Sequence, residues 1–452
     1  MCFFVDIRED DLNRMGRIAL IADNSAEYIR TLILIWEHNN IPVLIDHRLP
    51  CSTCLEMMKA AGVMEVFTDR DDIAEIIHKN DYEIQTHRLA KNVGKVEMSD
   101  RIDYRFSQSE EEAVVLFSSG STGRSKGIKL SFSAILKSAG RLNKIKGITS
   151  DSKIYIYRGM AHCAPFIGEL VGGIVSNCRI YVSSTRNMMR VHLNNMKELG
   201  ITHLSANPSV IQMMLRDNLG EGTYKQLQSI TCSGAMLPEK VKENAMDRFG
   251  VDIINMYGMT ETSSVVTFQV GSKMEHRTNV KGECVGKEIE GAKVDIIDPI
   301  SLDMFGEEKV GEVIVKTDTL MLGYLGIGLP EERMIGGYWR TGDAGCKDSE
   351  GRLYIVGRMD RMIITAGNNV FPEHIEKIIG NVDGVEDCIV RGEADDVYGQ
   401  RIICEYVAEK NVEEAIYKIC EENLSRFERP YKYIKVSGIT RTPSGKVSCQ
   451  EK

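Results

Sequence analysis

Ten consecutive residues, Ser118-Ser119-Gly120-Ser121-Thr122-Gly123-Arg124-Ser125-Lys126-Gly127, concentrate small side chains, hydroxyls and one lysine behind the apolar run Val114-Val115-Leu116-Phe117. Glycines let backbone N–H groups converge on an anion, hydroxyls add donors, and Lys126 brings an ammonium to phosphate charge. The pattern predicts a strand running into a phosphate-cradling loop, and so nucleotide chemistry. It departs from the Walker spacing: Ser125 stands before Lys126 where that motif has glycine, and Gly127 follows where it has Ser or Thr. This argues against an ordinary P-loop NTPase.

Four further groupings carry chemistry. Asn255-Met256-Tyr257-Gly258-Met259-Thr260-Glu261-Thr262 offers an aromatic ring for a base, a glycine for close backbone approach, hydroxyls, and a carboxylate able to hold phosphate-bound Mg²⁺. Trp339-Arg340-Thr341-Gly342-Asp343 places an acid just past a glycine, where a carboxylate accepts hydrogen bonds from a ribose. In Gly357-Arg358-Met359-Asp360, Arg358 supplies a forked donor for ribose or phosphate oxygens, and Asp360 stands where a linker is expected. Arg441-Thr442-Pro443-Ser444-Gly445-Lys446 is a turn that carries a lysine. Taken singly, each has a plain structural reading: core packing for Tyr257, a solvated acid for Glu261, a turn acid for Asp343, a surface Arg358–Asp360 pair, and a solvated tail for Lys446.

The elements that must position these residues follow a βαβ cadence. Strands are expected at residues 17–22, 41–45, 114–117, 154–157, 178–182, 201–205, 227–233 and 253–256, less clearly between 84 and 98, with a helix near 28–38. Polar or glycine residues follow several strand ends, the usual place for ligands in α/β sheets. After Lys281 the pattern turns to short β-like runs separated by glycine, including residues 292–297, 311–315 and 353–356. Mixed α/β resumes after Asp360, with Pro372 opening a helix through Ile379.

The chain has 452 residues, enough for two or three domains, and its 43% hydrophobic and 27% charged content is that of a globular enzyme. A net charge of -9 gives no basic footprint for nucleic acid. Acids interrupt the amino terminus before any signal-like core, and no run of about eighteen apolar residues occurs, so no integral membrane anchor and a cytoplasmic location are expected. Cys51 and Cys54 form a C-x-x-C pair without a second pair at metal spacing, and the twelve cysteines do not read as a disulfide framework. No structural metal is assigned.

In their order, from Arg17 through Lys446, these groupings resemble the adenylate-forming superfamily of acyl- and aryl-CoA ligases, nonribosomal-peptide adenylation domains and luciferases. The loop has Ser118 where the family often has Thr and Ser125 where it often has Pro. The resemblance implies an α/β fold: a large multi-sheet N-terminal AMP-binding domain over residues 1–359 with a β-rich subdomain at about 281–357, a hinge at Asp360, and a small mobile α+β C-terminal domain over 361–452. It implies that Ser118, Ser119, Gly120, Ser121, Thr122, Gly123 and Lys126 grip the ATP phosphates, that Gly234 and Ala235 border adenine, and that Tyr257 beside Gly258 stacks on it. Thr260 would contact phosphate, Glu261 would ligate Mg²⁺, and Asp343 and Arg358 would hold the ribose.

The implied reaction joins a small carboxylic acid to ATP, giving an acyl-adenylate and pyrophosphate with Lys446 stabilising the transition state. A thiol then attacks, as the C-terminal domain turns about Asp360 and presents Thr365-Ala366-Gly367-Asn368-Asn369. Coenzyme A is the expected acceptor, with the phosphopantetheine of a separate acyl- or peptidyl-carrier protein as the alternative. Ala161-His162-Cys163 falls where related ligases carry a gate near the acid pocket, so His162 is a candidate for touching the carboxylate, a core or loop histidine being the other reading. The pocket is expected to draw on residues 203–208 and 233–236. No acidic residue of the amino-acid-adenylating kind is found in residues 155–168, which favours an aryl or modest acyl acid.

Overall fold

The computed structural model describes residues 16–80, 82–91, 102, 104, 106–118, 125–217, 224–235, 237, 239–271 and 282–439, and the backbone alone of 96–99. Of the sequence candidates, Ser119, Gly120, Ser121, Thr122, Gly123 and Lys446 lie outside the described residues.

The first sheet has seven strands, in the order Gly323–Tyr324, Lys126–Ser131, Glu112–Ser118, Ile41–Leu44, Arg17–Ile21, Glu65–Thr68, Gln85–Arg88. Its inner strands are parallel and apolar on both faces, the pattern of a sheet covered on both sides. Ala19, Leu20, Val115 and Leu116 are fully buried. Helix Ala26–Glu37 begins at Ser25, whose side chain accepts from Tyr28 N–H and satisfies one of the free donors at the helix start.

The second sheet runs Ala292–Ile297, Gly311–Thr317, Tyr338–Lys347, Leu353–Arg358, Glu283–Glu288, Ser264–Val270, Ile253–Met259, Ser229–Cys232, His203–Ala206, Lys153–Ile156, Arg179–Ser183, Val96–Ser99. The compositional change after Lys281 does not begin a separate sheet. Thr267 and Phe268 pair with Glu288 and Lys287, so the β-rich portion continues the α/β sheet through one short antiparallel junction. A junction of backbone pairs leaves no hydrophobic period to read. The weakly patterned stretch 84–98 divides between sheets: Gln85–Arg88 joins the first and Val96–Ser99 the edge of the second.

The C-terminal portion forms a third sheet from Ile363–Thr365, Asn368–Val370, Val385–Asp395, Gly399–Ala408 and Lys432–Lys435. Helix Pro372–Gly380 opens on its proline, where a missing N–H costs nothing. It packs against Leu353–Arg358, and Lys377 Nζ donates to the Gly282 carbonyl at 3.2 Å. Among the described residues no helix is long and apolar enough to cross a membrane.

Candidate active site

Strands Glu112–Ser118 and Lys126–Ser131 form a hairpin in which Ser118 pairs with Lys126, so the two ends of the phosphate-loop candidate are pinned opposite each other. The edge of this hairpin is covered by Gly323–Tyr324, arriving from far along the chain to pair with Lys129 and Ile128. That strand places the Tyr324 ring 5.0 Å from the exposed Lys126 ammonium. The Tyr324 hydroxyl donates to Glu261 Oε1 at 2.9 Å, and Met321 N–H donates to the Glu261 carbonyl at 2.8 Å. Lys126 and Glu261 are thus brought to the same tyrosine, a residue the sequence reading missed. Its only signal is an aromatic within a glycine-rich stretch.

Glu261 sits in the one-turn 3₁₀ helix Thr260–Thr262 at the end of Ile253–Met259. The turn is locked from below, since Thr262 Oγ1 donates to Ser264 O at 3.0 Å and Thr319 Oγ1 to Thr262 O at 3.0 Å. Just before it the ladder with Ser264–Val270 slips between Tyr257 and Gly258. A β-carbon on Gly258 would stand 1.8 Å from the Ser264 carbonyl oxygen, so no side chain fits without moving backbone. Gly258→Ala is expected to shift Glu261 and to cost about 3 kcal/mol or more of stability, read as a lower urea midpoint together with lost activity. Wild-type stability in that variant would show the strand to be adaptable.

Replacing Tyr324 by Phe removes only the hydroxyl that aims Glu261. A charge-assisted hydrogen bond of about 1.5 kcal/mol is lost; with Glu261 as the Mg²⁺ ligand that the resemblance implies, roughly tenfold more Mg²⁺ would be needed for half-maximal rate, with the acid requirement unchanged. Titration of the rate against Mg²⁺ checks this.

The second half of the site is a clamp between neighbouring strands. Asp343 in Tyr338–Lys347 lies directly opposite Arg358 in Leu353–Arg358. Arg358 Nη1 donates to Asp343 Oδ1 at 2.9 Å, and the Tyr257 hydroxyl donates to Asp343 Oδ2 at 2.6 Å. Burial first, and the Asp343 charge second, lift the Tyr257 phenol well above its ordinary pKa, keeping it a donor. Arg358 also reaches Asp360 at 3.2 Å through Nε. Burial opposes its charge, but Asp343 and Asp360 outweigh that and raise its pKa. Gly342 has φ +75°, and a β-carbon there would meet Arg358 Nη2 at 3.2 Å. Glycine therefore serves both the left-handed turn and the guanidinium's space.

Gly234 and Ala235 follow Ser229–Cys232 and are exposed; Gly234 has φ +91° with open space where a side chain would be. They form an accessible shelf at the carboxyl end of a parallel strand, the side where α/β sheets take ligands.

His162 is half-buried, its Nε2 3.0 Å from Asp46 Oδ2 and 3.2 Å from Arg48 Nη2. Burial pushes the Asp46 carboxyl up, but the hydrogen bonds from His162 and Arg48 prevail and hold it well below the usual carboxylate range. Asp46 and Arg48, just beyond strand Ile41–Leu44, were not singled out from sequence, although polar residues at a strand's carboxyl end are the recognisable signal. Next to His162, burial lifts the Cys163 thiol to about 12; the Glu261 charge adds to this and a hydrogen bond with Thr260 opposes it. Cys163 therefore stands beside both residues. Cys54 is buried and Cys51 half-buried, with Cys51 Sγ 3.4 Å from Asp72 Oδ2. Burial raises the pKa of both thiols, that of Cys54 to about 12, so neither has thiolate character.

Beyond Arg48 opens a cavity of about 420 Å³ whose walls include His47, Arg70, Lys91 and Arg186, with Asp69, Asp71 and Asp72 among them. The loop candidate Thr365-Ala366-Gly367-Asn368-Asn369 turns between two strands of the third sheet, with Ala366 at φ +48° and Gly367 at φ +77°.

Residues 7–325 match the family described as AMP-binding enzyme, and residues 374–446 match the AMP-binding enzyme C-terminal domain. Among curated relatives, the 2-succinylbenzoate–CoA ligase of Enterococcus faecalis is 24% identical, over 96% of this chain and 87% of that one. The Bacillus anthracis 2-succinylbenzoate–CoA ligase is 28% identical, over 97% and 88%. Among solved structures, o-succinylbenzoate coenzyme A synthetase from Bacillus subtilis, in complex with ATP and magnesium ion, superposes with a TM-score of 0.83 at 21% identity over 97% of this chain and 89% of that one. ATP-bound MatB from Rhodopseudomonas palustris gives 0.84 at 20% identity, over 98% and 89%. The two matched regions, in this order and over most of the chain, place the protein in the AMP-binding enzyme family.

Proposed function

We propose that the chain is an ATP-dependent acid–coenzyme A ligase that forms an acyl-adenylate and pyrophosphate, then a thioester and AMP. The observation that carries this reading is the meeting of Lys126, Tyr324 and Glu261 at one end of the site with the Tyr257–Asp343–Arg358 clamp at the other. The first set suits a polyphosphate and the second a ribose.

Asp343 offers carboxylate oxygens to the ribose hydroxyls while Arg358 and Tyr257 hold it in place. Tyr257 beside Gly258, with Gly234 and Ala235 opposite, flanks the base. Ser118 and the loop after it, through Gly123, grip the β- and γ-phosphates together with Lys126, and Thr260 contacts phosphate. Glu261, one carboxylate aimed by Tyr324 next to the phosphate hairpin, has the donor chemistry that Mg²⁺ takes when most of its ligands are phosphate and water oxygens. Bound there, Mg²⁺ would neutralise polyphosphate charge. The acid's carboxylate is ionised near neutrality and needs no base. Its oxygen attacks the α-phosphorus, the α–β phosphoanhydride bond breaks, and pyrophosphate leaves, with Lys446 offsetting charge on the transferring group. His162, aligned by Asp46 and Arg48, guards the acid's entry.

In the second step the C-terminal portion, residues 361–452, turns about Asp360 relative to residues 1–359, and the loop through Gly367 lines the thiol's path. The thiolate sulfur attacks the acyl carbonyl and AMP departs. The curated relatives are named as coenzyme A ligases, which supports coenzyme A over a carrier protein as the acceptor. An enzyme that spends ATP and coenzyme A belongs in the cytoplasm.

The test is acid-dependent pyrophosphate exchange with Mg-ATP over a panel of aryl, acyl and α-amino acids. The first acid is 2-succinylbenzoate, named for the relatives. AMP release is then measured with coenzyme A and with a phosphopantetheinylated carrier. Exchange with an aryl or acyl acid and thioester on coenzyme A is the expected result. Faster exchange with an α-amino acid would overturn the acid class, turnover only with carrier would overturn the acceptor, and no exchange would overturn the ligase reading.

A further inference from the structure

Three charged side chains, Lys146 and Glu169 buried and Arg158 half-buried, cluster beside strand His203–Ala206, which the sequence reading assigned to the acid pocket, and have no part in the proposed nucleotide binding. Lys146 ends helix Phe132–Lys146, and its Nζ donates to Gly168 O at 2.8 Å and Ser205 Oγ at 3.4 Å. Arg158 lies just past strand Lys153–Ile156, and its Nη2 donates to Glu169 Oε1 at 2.6 Å. Glu169 is 1% exposed and sits in the π-helix Phe166–Val171, a widened turn of the kind that concentrates at functional sites. Glu169 Oε2 and Arg158 Nε are buried with no hydrogen-bond partner among the described residues.

Arg158 follows the carboxyl end of its strand, whereas Lys146, whose carbonyl accepts from Ser229 Oγ at the amino end of Ser229–Cys232, extends its ammonium along the sheet to Ser205. Ser205 belongs to His203–Ala206; its Oγ accepts from Thr231 Oγ1 at 3.0 Å, and its carbonyl from the Tyr157 hydroxyl at 3.1 Å. The Arg158 charge reaches Cys232, which immediately precedes Ser233, Gly234 and Ala235. Four residues after Arg158 comes His162. Asn24 fixes the segment between them, donating to Arg158 O at 2.9 Å and accepting from Met160 N–H at 3.1 Å.

The charges do not balance: two cations face one carboxylate. Burial first, and Lys146 second, lower His203 to about 4, so it adds no charge near neutrality. Burial lowers Lys146 itself to about 8, with Glu169 opposing, as befits an ammonium without a full counter-charge. A backbone carbonyl and a hydroxyl are incomplete compensation for a buried cation, and an arriving anion would complete it.

We propose that this cluster receives a second anionic group of the acid, remote from the carboxylate that is activated, with Lys146 and Arg158 as specificity-determining residues. The inference rests on the acid–coenzyme A ligase reading and narrows its substrate to acids with two anionic groups.

The test compares pyrophosphate exchange by the full chain with matched acids: 2-succinylbenzoate against 2-butanoylbenzoate and 4-oxo-4-phenylbutanoate, each keeping one carboxylate, phthalate against benzoate, and glutarate against butyrate. For the best diacid, the wild type is expected to exceed its monoacid counterpart by on the order of a hundredfold in kcat/KM. Lys146→Met and Arg158→Met should each erase most of that ratio through the acid's KM, leaving the KM for ATP unchanged, and Lys146→Arg should restore part of it. A merely structural role would slow both members of a pair alike and leave the ratio intact. A wild type that favours the monoacids, or a ratio that survives both Met variants, overturns the inference while the ligase reading stands. Exchange with no acid at all overturns both.

Discussion

Asp343→Ala is expected to lower kcat/KM for ATP by on the order of a hundredfold, about 3 kcal/mol, which is the scale for truncating one member of a desolvated charge pair. The loss has two sources. In the proposed site the ribose hydroxyls lose their acceptor, and the Arg358 and Tyr257 donors, now aimed at Asp343 from 2.9 and 2.6 Å, are left facing an empty space. The second source also touches the folded state, so a lower thermal midpoint should accompany the kinetic defect, by about 1 to 3 kcal/mol. Tyr257→Phe separates the two, because it removes one donor and keeps the ring beside the base: its cost should be about 1 kcal/mol. Initial rates over an ATP series, with the acid saturating, give both numbers. A Phe variant as damaged as the Ala variant would mean that the phenol, and not the carboxylate, carries ribose binding.

Lys446→Ala is expected to cut acid-dependent pyrophosphate exchange by on the order of a thousandfold, the scale seen when a preorganised donor to transition-state charge is removed. Thioester formation from supplied acyl-adenylate should retain most of its rate, because in the proposed second step this lysine has been carried away from the phosphate. Unequal loss is what makes the two half-reactions separable in one active site. Equal loss in both would remove the case for rotation about Asp360 and leave a static site. Single-turnover measurements of each half-reaction distinguish these results.

Much of this was legible in the sequence because local patterns coincide with local structure. The run Val114-Val115-Leu116-Phe117 gives Glu112–Ser118, and Pro372 opens its helix at the first helical position. Asp343 and Arg358 were named separately as ribose contacts, and hairpin pairing brings them face to face. What escaped were residues whose importance arises only from tertiary approach. Tyr324 is about two hundred positions from Lys126, and a two-residue strand gives no periodic signal. Asp46 and Arg48 matter because a segment more than a hundred residues later lays His162 against them. The continuity of the second sheet through Thr267 and Phe268 is likewise a property of pairing and not of composition.

Strand Gly323–Tyr324, which closes the phosphate hairpin and aims Glu261, also sets a timetable for the chain's own synthesis. A ribosome-bound fragment that already displays Lys126 and Glu261 still lacks the tyrosine joining them, then the Asp343–Arg358 pair, and last of all Lys446. Each successive part of the proposed ATP site emerges later than the one before. On the proposed roles, a nascent chain that still lacks Tyr324 holds Lys126 and Glu261 without the hydroxyl that orients the carboxylate, and gains it only when this strand pairs with Lys129 and Ile128.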